Sequence, residues 1–191
     1  MLQPAPPSIL TEYGIIHESD DALARPDLPA ELARLPDEDD ATWNAREAKR
    51  AEAVRADNKR FVEAYIRAAT ETGDWSGLLV PGRTPTVFRV RRIGVTAWAA
   101  FKAEAVAQKL SEEQIAHLAF RLGVVGIDNL PLPVKLDRSP YVDPEGKRIK
   151  AMGDVLSTEV VDMIALADRG NEVVVGIGLL IAKQRGGPLG K

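Results

Sequence analysis

The chain has 191 residues, 45% hydrophobic and 28% charged, with a net charge of −3 and no cysteine. That balance describes a soluble globular protein large enough for one proper core, and it excludes disulfides, thiolate metal sites and a cysteine nucleophile. No window approaches the ~18 uninterrupted apolar residues of a membrane span, and the start, MLQPAPPSILTEY, lacks a basic region leading into an apolar one, so no secretory signal and a cytoplasmic protein are expected.

Residues 1–40 carry ten acidic side chains against Arg25 and Arg34, together with six prolines. Positions 41–191 are mildly basic, with 23 basic and 18 acidic residues. This reads as an extended acidic arm that is solvated, folds back on the basic remainder or engages a basic partner. Its apolar clusters, Ile9-Leu10 and Tyr13 with Ile15-Ile16, either anchor in grooves of a neighbour or pad the chain's own core. Pro29 opens a predicted helical turn over 29–35.

From 41 to 72 there is no proline or glycine, which predicts a long helix capped by Asp40 or Thr42 and stopped by Gly73. Its first half is charged nearly all round, with Glu47 able to pair with Arg50, whereas Phe61, Tyr65 and Ala68 form a packing face. Beyond a turn at 74–77, the apolar run 78–80 and the alternating run 87–91 flank PGRTP and suggest a small hairpin or ribbon. In the second run Phe88 and Val90 face a core, while Arg89 and Arg91 lie on the exposed side.

Thr96 is the expected cap of a following helix whose Trp98, Phe101 and Ala105 face the core. Ser111 and Gln114 form a capping box for a second helix, which buries Ile115, Leu118, Ala119 and Leu122, leaves His117 off that stripe and ends at Gly123. Residues 123–153 hold four prolines and read as a loop-rich insertion and contact surface, with a hairpin of 134–136 and 148–150 around 143–146. A helix is predicted over 154–168, with Val160, Val161, Ile164 and Ala167 inward. The last segment, 172–182, is a helix capped by Asn171, or a strand on its β-branched run.

Candidate chemistry is sparse. Gly176-Ile177-Gly178 lacks the third glycine and the βαβ context of a dinucleotide fingerprint, and Pro81-Gly82-Arg83 lacks the Lys-Ser/Thr of a phosphate loop. His17 and His117 assemble into no metal or triad pattern. Glu112-Glu113 is explained by a helix N-terminus. Arg83, Arg89, Arg91 and Arg92 make a small basic patch, but the acidic pI and few aromatics argue against dedicated nucleic-acid binding. No catalytic residue, cofactor or metal is expected.

The segment PGRTPTVFRVRRI, the helices after it and the late DVLSTEVVDMIALA resemble tail assembly chaperones of long-tailed bacteriophages, over about residues 78–182. The resemblance rests on the Pro85-Thr86-Val87-Phe88 strand segment at the start of a small helical body and on the paired aliphatics Val160-Val161 of a late helix. It implies a non-enzymatic protein of the host cytoplasm that binds the tape measure protein during tail assembly and leaves before the virion is complete. The competing expectations are a neck, tail or capsid-decorating virion component whose arm clamps neighbouring subunits or further copies of itself, and a small enzyme or regulator with an unrecognised site. The candidate partner-binding residues are Ile9, Leu10, Tyr13, Ile15, Arg83, Arg89 and Arg91.

The expected fold is therefore α+β and mainly α. A small helical body (74–191) with one short hairpin or ribbon and the insertion 123–153 follows an arm (1–40) and a long helix (41–73).

Overall fold

A computed structural model describes residues 12–26, 33–130, 135–167 and 169–183. The fold is α+β and mainly helical. Two compact units account for it: an inserted unit, Asp21–Arg83, and a body made of the segments that flank it in sequence. This division differs from the expected arm, helix and body, because part of the arm is a strand of the body's sheet.

In the body, β1 (Glu12–Ile16), β2 (Val87–Arg91) and β3 (Val124–Asp128) form an antiparallel sheet with β2 in the centre. Ile15 lies opposite Phe88, Tyr13 opposite Val90, and Val124 opposite Val90 beyond an irregularity in the β2–β3 register at Arg89/Val90. That shift keeps Val124 on the same face as Phe88 and Val90. The predicted hairpin with 78–80 does not form. Strand β2 needs apolar partners on its Phe88/Val90 face, and Ile15 and Val124 supply them from distant positions.

Behind this face, α2 (Val95–Ala107) and α3 (Glu112–Gly123) follow. Gly94, not Thr96, occupies the N-cap of α2. Trp98 and Phe101 are buried, as expected, and stack on each other, but Glu104 rather than Ala105 continues their row inward. Ser111 and Gln114 close the predicted capping box, and Phe120 meets Phe88 edge-on at 5.8 Å.

The expected loop 123–153 begins with β3 and continues to β4 (Arg138–Pro140), which pairs with β5 (Asp154–Leu156). A bridge from Val142 to Arg148 closes a turn in which the Asp143 carboxylate accepts from the Glu145 and Lys147 amides at 3.0 and 2.8 Å. The expected hairpin limbs were shifted, and Val134 lies outside the described residues.

The predicted helix 154–168 is shorter: β5 takes its start, Ser157 caps α4 (Thr158–Ala165), and Val160, Val161 and Ile164 are buried. The last segment is helical, α5 (Gly170–Lys183), and packs along α3.

In the inserted unit, residues 22–24 run beside 78–80 through a Leu23–Leu79 bridge, with Ala24 N donating to Leu78 O at 2.7 Å and Val80 N to Ala22 O at 2.8 Å. The long helix α1 (Asp40–Arg67) is capped by Asp39, whose carboxylate accepts from Thr42 N at 2.8 Å, so the cap lies one residue before the expected Asp40. One π-type turn extends it to Thr72, and Gly73 stops it at φ 67°. Tyr65 is the one buried residue of α1 and meets Trp75 edge-on at 5.4 Å. The Glu47–Arg50 pair forms at 3.5 Å. The turn predicted over 29–35 lies largely outside the described residues.

Candidate functional site

The seven candidate contact residues do not share one environment. Ile9 and Leu10 lie outside the described residues. Ile15 is wholly buried against the sheet's own core and Tyr13 is half-buried beside it, so this cluster pads the body. Arg83 is exposed in the inserted unit and pairs with Asp21 at 2.5 Å, also donating to the Asp21 carbonyl at 3.0 Å. Arg89 is exposed on β2, as expected, whereas Arg91 is half-buried because its guanidinium turns in to main-chain carbonyls. Arg89 reaches Asp128 at 3.3 Å and covers Gly126, where a side chain would collide with it.

Arg91 is half-buried and committed inside the body. The passage from α3 to β3 leaves helix-end carbonyls without intrahelical partners, and two guanidinium groups satisfy them. Arg91 donates to Leu122 O at 3.2 Å and Asp154 O at 2.9 Å. Arg138 donates to the same oxygens at 3.2 and 2.5 Å, and to Val124 O. Burial, then the like charge of Arg91, push the Arg138 guanidinium down to about 10, with Asp154 partly offsetting them. This clasp ties the α3–β3 junction to β5.

A cleft of about 450 Å³ opens beside it, between α3, α4 and the segment around Tyr141. One ridge of α3 presents Glu113, His117 and Arg121 at four-residue spacing, with Leu118 and Val161 among the apolar lining. Asn171, inside the first turn of α5 rather than capping it, donates to Glu113 Oε1 at 3.0 Å and accepts from His117 Nε2 at 3.0 Å. That pairing places the ring proton on Nε2. Arg121 is anchored through Nε to Leu156 O at 2.8 Å. Burial lowers its pKa, against the fields of Tyr141, Glu159 and Asp162.

Behind the cleft, the buried Glu104 carboxylate accepts from Tyr141 O–H at 3.1 Å and from the Gln108 amide. Burial pushes the Tyr141 phenol up, keeping it protonated as that donor. The polar groups thus hold one another in place rather than converge on a reacting atom. Among the described residues no group of three His, Cys, Asp or Glu could hold a metal ion, and no helix is long and apolar enough to cross a membrane.

His17, assigned to the arm, is buried at the end of β1, with Nδ1 2.7 Å from Ser19 Oγ and its Nε2 edge where a side chain at Gly176 would lie. The Gly176/Gly178 pair is therefore a packing feature: Gly178 lies against the main chain of Ala116. Sequence reasoning missed the cleft and the clasp. The spacing of Glu113, His117 and Arg121 was visible, but only α4 and Tyr141 make that face concave.

Among known proteins, no family model matches the chain, and no characterised protein or solved structure matches it either.

Proposed function

We propose that this chain is a non-enzymatic assembly protein acting by protein–protein contact, and specifically a tail assembly chaperone of long-tailed bacteriophages that holds the tape measure protein until the tail is built. The observation that carries this reading is where the residues of the resemblance fall. Pro85 and Thr86 lead into the central strand, Phe88 and Val90 are buried in its core, and Val160-Val161 are buried in α4. The similar residues are thus framework residues of one compact body.

The surface supports contact with a partner. Met163 on α4 is 53% exposed and Leu166, its C-cap residue, 87%, both outside the buried face. Arg138 at the clasp and Glu104 with Tyr141 behind the cleft are engaged in hydrogen bonds that hold the fold. Ile15 and Ile16 are committed to the body's own sheet, so these two apolar residues are not offered to a neighbouring subunit.

The test is co-expression with a tape measure protein from the same source, with mass spectrometry of purified mature particles. A soluble complex, with the chain absent from particles, is the expected result. Stoichiometric retention in particles would make it a virion component instead.

A further inference from the structure

Resting on that reading, we infer that the cleft along α3 receives an amphipathic helix of the protein partner, one that offers an acidic side chain to Arg121 and a basic one to Glu113. Glu113, His117 and Arg121 form one ridge of α3 and Gln114 and Leu118 the next, so a helical groove runs between them. From Glu113 to Arg121 it spans about 12 Å, or about two turns. On α4, Thr158, Val161 and Asp162 form the opposite wall. A ridge of a second helix fits a groove of that pitch.

Charge complementarity identifies the occupant. Arg121 is half-buried and fixed through Nε, yet among the described residues its terminal nitrogens have no hydrogen-bond partner and it forms no ion pair. Glu159 and Asp162 influence it electrostatically without closing on it. An anchored, partly desolvated guanidinium with an open fork is a receptor for a carboxylate. At the other end Glu113 is held by Asn171 at 3.0 Å and remains exposed, an acceptor for a lysine or arginine. Leu118, between them on α3, is the apolar contact for the occupant's side chains.

Synthetic alanine-based helices with two central leucines serve as probes. One carries Lys and Glu about two turns apart, and the others have either charge replaced by Gln. Binding to the full chain is followed by NMR titration. The Lys/Glu peptide is expected to shift the resonances of α3 and α4. Losing its Glu is expected to weaken binding to wild type about tenfold, but not to Arg121→Gln. Losing its Lys is expected to act likewise on wild type but not on Glu113→Gln, an exposed position where folding is not at stake.

Equal affinity of all three peptides, or no shift around the cleft, would overturn the inference. So would a dimer broken by either substitution, since a second copy would then be the occupant. A tape measure complex that survives both substitutions also overturns it while leaving the assembly reading intact.

Discussion

Gly178 on α5 packs directly against the main chain of Ala116 on α3, so that a methyl group at Gly178 would collide with the Ala116 carbonyl. Backbone cannot retreat as a flexible side chain can. Gly178→Ala is therefore expected to destabilise the body by about 3 kcal/mol or more through overpacking. Gly77→Ala, where an added Cβ meets nothing within 4 Å, is expected to change stability little. Urea midpoints of the two variants measure the difference.

Burial lowers the pKa of His17, against the fields of Glu18 and Glu172, while Arg169 adds to the lowering. Ser19 and the Glu172 main chain complete its polar surroundings. The unfolded chain protonates near the ordinary value of 6.5, whereas the folded chain resists, so unfolding takes up a proton between the two values. His17 therefore contributes stability that is present above pH 6.5 and is lost as the pH falls through its lowered folded value. Chemical denaturation at stepped pH is expected to show that slope in wild type and a shallower one in His17→Gln. Equal slopes would remove His17 as its source.

Arg138 and Arg91 share two carbonyl oxygens, but only Arg138 also reaches Val124 O. Truncating Arg138 strands more acceptors. Arg138→Gln is expected to cost about 2–4 kcal/mol, from hydrogen bonds lost to a charged donor and an acceptor left unsatisfied, and Arg91→Gln less. Because Leu122 O and Asp154 O keep one donor in either single variant, the double variant should lose more than the two singles added. Additivity in thermal or urea unfolding would mean that the two side chains act independently.

Local features were readable in the sequence because their causes are local. The capping box at Ser111 and Gln114, the glycine stop at Gly73 and the inward Phe88 and Val90 follow from neighbours within a few positions. The partner of β2 was not readable. Pro81-Gly82 offered a nearby turn, whereas the strands that pair with β2 come from Glu12–Ile16 and Val124–Asp128. Register across such distances depends on which apolar faces remain uncovered once helices pack. The same holds for the cleft, where helical spacing sets Glu113 and Arg121 in line but α4 decides that the line borders a concavity. Gly176-Ile177-Gly178 resembles a fragment of a cofactor loop only until α3 and His17 are seen against it.

The placement of the inserted unit leads to a sharper test of modularity. Ile16 and Val87 are cross-strand partners, and Thr86 N donates to the Asp20 carboxylate at 2.8 Å. The body's two strand ends thus lie side by side, about 5 Å apart as for any antiparallel pair, a gap that a short turn can close. Residues 21–83 contribute none of the strands or helices of the body. Replacing 22–82 by a short Gly-rich turn is expected to leave a cooperatively folded body whose amide spectrum around Phe88, Phe120 and Ile177 matches the full chain. Tightening the β1–β2 connection also lowers the entropy cost of closing that hairpin, so refolding should not slow. A molten or insoluble product would mean that the inserted unit stabilises the body, and that the two cannot be treated as separable modules.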